Sequence, residues 1–136
     1  MSVLPDSDFT QGLGMHTTEC ADGRCVIELE LDDRHMSIAR RAHGGVLFTM
    51  LDTAMGRAVI SRLPAGRGCA TVEAKINYLR PVQGGHIRAE ARALDLTRRT
   101  AYAEGQIRDE EGRVLARTSG TFFLTDTVEQ SERERV

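Results

Sequence analysis

The sequence predicts an α+β fold in which a curved antiparallel sheet of about five to six strands wraps one long helix. The stretch Gly45–Ile60 has helical length, contains no proline and is apolar on every side of a helical wheel, so the helix must be covered. From Gly68 onward the apolar period changes to two, the period of a strand. Many inward strand positions are small, which lets a helix approach the sheet closely. These positions are Ala89, Ala91, Ala101, Ala103, Gly105, Ala116 and Gly120.

The chain of 136 residues fits one domain with a modest core. We expect an N-terminal arm at 1–12 that packs through Leu4 and Phe9, a folded domain at 13–125, and a charged, disordered tail at 126–136. The net charge of −2 provides no general attraction to nucleic acid or anionic membranes. Because no apolar run spans a bilayer and no secretory leader is recognisable, we expect a soluble, cytoplasmic protein.

Two short strands are predicted before the helix, at Met15–Cys20 and Arg24–Leu31. The Asp22-Gly23 pair between them is a strong hairpin signal. The apolar residues of the second strand fit one buried face; they are Val26, Ile27, Leu29 and Leu31. Residues 32–43 are polar and aperiodic, so they are predicted to form a loop that leads into the helix. The helix is predicted to end near the breaker residues of 63–66.

Successive antiparallel hairpins follow the helix. In the first strand after Gly68, apolar side chains alternate with polar ones up to Arg80-Pro81. Its predicted inward residues are Val72, Ala74, Ile76 and Tyr78. The remaining strands are predicted at His86–Asp95, Thr100–Arg108 and Val114–Leu124. Gly84-Gly85 turns the chain into the first of them, residues 97–99 lead into the second, and the turn before the third is Asp109–Gly112.

Asp52 is the one carboxylate of the predicted helix, and it lies among Met50, Leu51 and Met55. An ion in such surroundings is costly unless it is hydrogen-bonded or lines a cavity. This costly position points to a functional site. The alternative is a structural aspartate that is bonded to a neighbouring backbone group.

The helix is preceded by His43-Gly44-Gly45, which leaves the first helical amides open to an oxyanion or a carbonyl oxygen. Gly45 and Asp52 lie close to two turns apart, or about 10 Å along the axis. That separation is too long for both to touch one carbonyl, so it suggests a site built by two copies of the helix. His43 either braces this loop beside the carbonyl or caps the helix and packs.

The remaining histidines and the cysteines suggest no metal site. The cysteines form no CxxC pair and leave one over, so they are expected to be buried, reduced thiols rather than a disulfide framework or a zinc ribbon. They are Cys20, Cys25 and Cys69. The histidines lack metal-ligand spacing and are expected on the surface or in loops. They are His16, His35 and His86.

Several segments, in this order, resemble the hotdog-fold acyl-CoA thioesterases, with the PaaI-like branch as the closest. They are His43-Gly44-Gly45 with Asp52, then Thr71–Val82, Gly112–Ala116 and Gly120–Phe122. The resemblance covers roughly residues 12–125. It implies hydrolysis of an acyl-CoA thioester at a subunit interface, in a homodimer that pairs into a homotetramer.

The resemblance also implies roles for single residues. Gly44 or Gly45 of one chain would polarise the thioester carbonyl, with His43 beside them, and Asp52 of the facing chain would act as general base or nucleophile. Thr71 stands where the family often has a hydroxyl that positions the attacking water. Strand alternation places the Thr71 side chain on the face opposite to that of Val72. Thr71 therefore reaches the site only if a bulge or the strand edge permits; otherwise it is a surface threonine.

Substrate contacts follow from the same resemblance. Ser37 stands where the family frequently has an asparagine, whose amide donor it lacks, and Arg40 replaces a small residue. The best candidates to bind the phosphates of CoA are Arg98-Arg99, followed by Arg80. The alternative is that these arginines are solvated charges in turns. No cofactor is needed beyond the CoA of the substrate, a small acyl- or aryl-acyl-CoA. The departures at Ser37 and Arg40 leave open a non-catalytic acyl-CoA-binding protein on the same scaffold.

Overall fold

The computed structural model describes residues 5–126 of the chain. It contains two α-helices, α1 (Asp8–Gly12) and α2 (Gly44–Ile60), and a short 3-10 helix at Asp33–His35. The strands are β1 (His16–Ala21), β2 (Arg24–Leu31), β3 (Gly68–Tyr78), β4 (Gly85–Leu96), β5 (Thr100–Arg108) and β6 (Val114–Thr125). Leu4 and, apart from Asp126, the predicted tail at 126–136 lie outside the described residues.

The six strands form one antiparallel sheet in the order β1-β2-β4-β5-β6-β3. Helix α2 packs against one face of this sheet, so the predicted α+β hotdog architecture is confirmed. The sheet is open, with β1 at one edge and β3 at the other. A hydrogen-bonding edge of β3 is therefore left unpaired within residues 5–126, next to the helix that carries Asp52.

Helix α2 approaches the sheet closely because small residues lie beneath it. A Cβ atom built on Gly120 would lie 3.1 Å from Cε of Met55 and 3.2 Å from the carbonyl oxygen of Glu73. The predicted small face of β4 is confirmed, since Ala89 and Ala91 are buried. The sheet leaves part of α2 uncovered, since Phe48 stays 36% exposed. The strands reach only one wide face of the helix.

The β1–β2 hairpin confirms the predicted turn at Asp22-Gly23. Both residues have positive φ, 53° at Asp22 and 82° at Gly23, as a type I′ turn requires. Ala21 and Arg24 flank the turn as the first cross-strand pair. Local turn chemistry thus sets the register of the first two strands.

Three predicted side-chain positions are wrong. Phe9 is 66% exposed, and Thr10 is the residue that α1 buries. Val72 is 65% exposed, because it lies at an irregularity of an edge strand. His35 is fully buried rather than in a surface loop. Its ring can be buried because Nδ1 accepts the Asp32 N–H at 2.9 Å and Nε2 lies 2.6 Å from a backbone carbonyl oxygen.

None of the helices formed by residues 5–126 has the length and apolarity that a membrane span requires. The helix that the sequence predicted at Gly45–Ile60 begins one residue earlier, at Gly44. Its C-cap is Ser61, before the predicted breaker residues. The position of this N-terminus is what matters for the site.

Candidate active site

A β-bulge in β3 brings Thr71 to Asp52. Thr71 is paired with Phe122 of β6, whereas the next regular pair joins Glu73 to Thr121, so Val72 is an extra residue. The Thr71 hydroxyl donates a hydrogen bond of 2.8 Å to Oδ1 of Asp52. The sequence analysis required a bulge or a strand edge for Thr71 to reach the site, and β3 provides both.

Asp52 is half-buried, on the side of α2 that faces the start of β3. Its apolar sequence neighbours Leu51 and Met55 point into the core instead of surrounding it. The expected enclosure in apolar side chains is therefore not found in the single chain. Burial, together with the negative charge of Asp52, raises the pKa of the Cys69 thiol to about 11. Asp52 therefore lies close enough to the Cys69 thiol for its charge to act on it.

His43 caps the start of α2. Its backbone is extended, with ψ of 135°, and its Nδ1 accepts the Gly45 N–H at 2.8 Å. The expectation that Gly44 and Gly45 both present open amides is correct for Gly44 only, because the imidazole occupies the Gly45 N–H. Within residues 5–126 the Gly44 N–H has no acceptor. The neutral ring that accepts at Nδ1 carries its proton on Nε2.

Tyr78 fixes the same turn from β3, a role that the sequence did not reveal. Its hydroxyl donates a hydrogen bond of 2.7 Å to the Gly44 carbonyl oxygen. The peptide unit between Gly44 and Gly45 is thus held at its carbonyl by Tyr78 and at its N–H by His43. A Cβ atom on Gly44 would lie 3.0 Å from the Tyr78 hydroxyl oxygen, which explains the glycine. Strand alternation had indicated only that Tyr78 faces inward.

The open amide and the carboxylate lie far apart within one chain. Gly44 and Asp52 are separated by eight residues of α2, which corresponds to about 12 Å along the axis. A groove of about 310 Å³ lies beside Gly44 and is lined by Leu47, Tyr78 and Arg80, among others. Arg80 donates a hydrogen bond of 2.7 Å to the Val114 carbonyl oxygen. One side of its guanidinium is therefore used by the fold.

Arg98 and Arg99 lie in the β4–β5 turn and share a second groove, of about 590 Å³, with Arg67. Phe123 of β6, 47% exposed, contributes an apolar surface to this groove. Within residues 5–126 none of the three guanidinium groups has a carboxylate oxygen within 4.0 Å. Arg67 joins this cluster only through the tertiary fold, so the sequence did not reveal it.

Ser37 and Arg40 lie in the loop before α2 and do not contact Asp52 or the Gly44 amide. The Ser37 hydroxyl oxygen is buried and has no partner within the described residues 5–126. Arg40 adopts φ of 60° and forms an ion pair of 2.8 Å with Asp33. This ion pair, which is exposed, draws the Arg40 side chain towards Asp33 and solvent.

Fold and site together define a hotdog-fold thioester hydrolase. The sequence model of the Thioesterase superfamily matches residues 41–116, and the chain belongs to this family. The matched range contains the α2 N-terminus, Asp52 and Thr71. The resemblance to the PaaI-like branch is confirmed by the solved structures that share the fold.

Three solved structures illustrate the similarity. Conserved protein PA5202 from Pseudomonas aeruginosa is 31% identical with a TM-score of 0.84, over 88% of this chain and 94% of that chain. A mutant of the phenylacetic acid degradation protein PaaI from Thermus thermophilus is 30% identical with a TM-score of 0.79, over 86% and 98%. A hypothetical thioesterase protein with coenzyme A from Streptococcus pneumoniae is 26% identical with a TM-score of 0.77, over 85% and 88%.

Proposed function

We propose that the protein is a cytoplasmic acyl-CoA thioesterase that hydrolyses a small acyl- or aryl-acyl-CoA to the free acid and CoA. The observation that carries the proposal is the Asp52 carboxylate held by the Thr71 hydroxyl at 2.8 Å on the bulged edge of the sheet. The three cysteines are free thiols, which fits a reducing compartment. Membership of the thioesterase family favours hydrolysis over the non-catalytic binding protein that Ser37 and Arg40 had left open.

Asp52 is proposed to act as general base or as nucleophile. As a base, its carboxylate takes a proton from water while the water oxygen attacks the thioester carbonyl carbon; collapse of the tetrahedral intermediate then breaks the C–S bond, and the CoA thiolate takes up the proton. As a nucleophile, the carboxylate itself attacks, expels CoA thiolate and forms an anhydride that water hydrolyses. In both routes Thr71 fixes one carboxylate oxygen and leaves Oδ2 for the reaction.

The Gly44 N–H is the proposed donor to the thioester oxygen, with His43 and Gly45 as the cap that orients it. A preorganised backbone donor at a developing oxyanion contributes about 3–4 kcal/mol to lowering the barrier. The His43 Nδ1 to Gly45 N–H hydrogen bond of 2.8 Å and the Tyr78 contact hold the turn before substrate binds. Little reorganisation is then required during the reaction.

A second copy of the chain is proposed to complete the site. Gly44 and Asp52 of one chain are too far apart for one carbonyl, and the unpaired edge of β3 presents exposed apolar side chains. These are Val72 at 65% and Tyr78 at 51% exposure, and Leu79, directly after the strand, is 50% exposed. Two-fold pairing along β3 sets the two copies of α2 antiparallel, which turns the Gly44 end of one towards Asp52 of the other. We propose this homodimer as the working unit and a dimer of dimers as the homotetramer.

The CoA moiety is proposed to bind the arginine groove. Arg98 and Arg99, with Arg67 beside them, offer guanidinium groups that lack carboxylate partners in residues 5–126, and guanidinium groups bind phosphates strongly. The exposed ring of Phe123 offers a surface on which the adenine can stack. Arg80 beside Gly44 is a further proposed contact, and Ser37 is proposed, from the family resemblance alone, to contact the thioester or the attacking water. CoA enters as part of the substrate, so no separate cofactor is proposed.

A thiol-release assay across a panel of acyl- and aryl-acyl-CoA esters tests the proposal. Asp52→Asn is expected to lower kcat on the best substrate about 100-fold or more, because it removes the base without changing side-chain size. Asp22→Asn is the matched control, since asparagine suits a type I′ turn and Asp22 lies in the distant hairpin. An unchanged rate in Asp52→Asn would remove Asp52 from the mechanism.

The CoA site is tested with two substrates that carry the same acyl group. Arg98→Gln and Arg99→Gln are expected to raise KM for the acyl-CoA but to leave KM for the corresponding acyl-pantetheine unchanged, because the latter lacks the nucleotide phosphates. Arg117→Gln, in a different groove of the sheet, serves as the control. Equal changes with both substrates would show that these arginines do not bind the nucleotide.

A further inference from the structure

Cys20 and Cys25 lie directly opposite each other across the β1–β2 hairpin. The two-residue turn makes Ala21 and Arg24 the hydrogen-bonded pair that flanks it, so the next pair, Cys20 and Cys25, is a non-hydrogen-bonded pair. Such pairs have Cα atoms about 4.5 Å apart. This separation lies within the range of about 4.4–6.8 Å that a disulfide bridges.

The two thiols also lie on the same side of the sheet. Directly opposed residues of antiparallel strands project from one face, and here that face is the one covered by α2. Cys25 is fully buried in the core, whereas Cys20 is half-buried and its Sγ lies 3.4 Å from the Arg57 carbonyl oxygen, to which it donates. The pair therefore combines a half-buried cysteine with a fully buried one.

The surroundings make the two thiols unequal. The Cys25 thiol opposite it and, after it, the positive charge of Arg57 lower the pKa of Cys20 to about 7, against the opposing effect of burial. The Cys20 sulfur opposite it, together with burial, raises the pKa of Cys25. Thiolate character and access select the cysteine that reacts first with an oxidant. Cys20 exceeds Cys25 in both, and Cys25 is placed to attack it afterwards.

We propose that Cys20 and Cys25 form a reversible redox modification site, which hydroperoxides oxidise to a cross-strand disulfide. The Cys20 thiolate attacks the terminal oxygen of a hydroperoxide, which breaks the O–O bond, releases water or an alcohol after proton uptake, and leaves Cys20 as a sulfenic acid. The Cys25 sulfur then attacks Sγ of Cys20 and displaces hydroxide, which leaves as water with the Cys25 proton. The dithiol loses two electrons in total, and the hydroperoxide gains them.

Cys69 provides an internal control for this inference. It is half-buried like Cys20, yet it faces Leu124 of β6 rather than another thiol. Burial and the charge of Asp52 raise the pKa of Cys69 to about 11, so it holds little thiolate at neutral pH. The same oxidant is therefore expected to leave Cys69 as a thiol.

The test exposes the full-length reduced protein to hydrogen peroxide at neutral pH, blocks the remaining thiols and digests it with trypsin without reduction. Cleavage after Arg24 separates Cys20 from Cys25, so a disulfide leaves the two peptides joined, with a mass two hydrogens below their sum. The thiol count is expected to fall from three to one and to return to three with dithiothreitol. Cys69→Ser is expected to form the same joined peptides, whereas Cys20→Ser and Cys25→Ser are not.

Three results would overturn the proposal. One is an unchanged thiol count in protein that hydrogen peroxide has demonstrably reached, shown by oxidation of the half-buried Met36. Another is irreversible oxidation of Cys20 to a sulfinic acid without a joined peptide. The third is faster oxidation of Cys69 than of Cys20. Because the readout is a peptide mass, it does not depend on the proposed thioesterase mechanism or on the fate of its tests.

Discussion

Thr71 donates a hydrogen bond of 2.8 Å to Oδ1 of Asp52, which joins the edge strand β3 to the middle of α2. The contact exists because Val72 is an extra residue in β3 and turns the preceding side chain towards the helix. Because the hydrogen bond holds Oδ1, it also fixes the direction in which Oδ2 of Asp52 points. This pair is therefore the first target for mutation.

Thr71→Val is expected to lower kcat by about 10- to 100-fold, because it removes a hydrogen bond to a charged group while the side-chain volume stays nearly constant. Thr71→Ser keeps the hydroxyl and is expected to retain most of the activity. Steady-state kinetics on one acyl-CoA ester separate the two outcomes. If both variants lost activity equally, the threonine methyl group would matter rather than the hydroxyl.

Gly44→Pro removes the open amide at the start of α2. Proline suits the first helical position, and the extended ψ of 135° at His43 is the backbone that a residue before proline prefers. Gly44→Ala adds the same Cβ against Tyr78 but keeps the N–H, so it is the matched control. We expect kcat of Gly44→Pro to fall about 100-fold or more below that of Gly44→Ala. Equal rates of the two variants would remove the amide from the mechanism.

Mixing two inactive variants tests whether the site is shared between chains. Asp52→Asn and Gly44→Pro, unfolded together in equal amounts and refolded, give mixed dimers in which one of the two sites contains an intact Asp52 and an intact Gly44. Random pairing makes about half of the dimers mixed, and each mixed dimer has one intact site of two. The mixture therefore regains about one quarter of the wild-type activity. If each chain carried a complete site, refolding the mixture would restore none. Light scattering of the wild type gives the oligomeric state in parallel.

His86 predicts a pH-dependent stability. Its Nε2 lies 2.7 Å from Oε1 of Glu28, and this contact raises the pKa of His86 above its ordinary value of 6.5. A raised folded-state pKa contributes stability that is fully present below 6.5 and is lost as the pH rises through the folded value. The hydrogen bond with His86 in turn lowers the pKa of Glu28 below its ordinary value of 4.5, so Glu28 is still ionised at pH 5.5.

His86→Gln is accordingly expected to lower the thermal midpoint more at pH 5.5 than at pH 8.5. His16→Gln, which changes an exposed histidine of β1 that has no ion pair within residues 5–126, is expected to have the same small effect at both values. Thermal unfolding followed by circular dichroism measures the difference. If His86→Gln lowered the thermal midpoint equally at both pH values, the charge of His86 would not contribute to stability.

Gly120→Ala tests the close approach of α2 to the sheet. The added methyl group would lie 3.1 Å from Cε of Met55 and 3.2 Å from a backbone oxygen, so we expect a loss of about 1–3 kcal/mol in the free energy of unfolding. Gly84→Ala is the control, because a Cβ atom there meets nothing within 4 Å. Urea denaturation measures both variants. A Gly120→Ala protein as stable as the control would show that the contact relaxes freely.

The sequence allowed most elements to be predicted where local signals agree. The predicted bounds of β2 and β5, Arg24–Leu31 and Thr100–Arg108, match the structure, and α2 begins one residue before its prediction. Turn residues with positive φ and a period of two need no distant partner to be recognised. The prediction failed at His35, whose burial depends not only on the nearby Asp32 N–H but also on the carbonyl oxygen of Leu13, 22 residues away in sequence.

The sequence by itself determined the order of helix and strands, the buried faces of the regular strands and the family, because these depend on periodicity and on short motifs. Only the tertiary structure decided which groups meet at the site. Thr71 reaches Asp52 across 19 residues of sequence, and Tyr78 reaches Gly44 across 34. Both contacts depend on how the edge strand lies against the helix, and a bulge one residue long changes that arrangement without altering the apolar pattern.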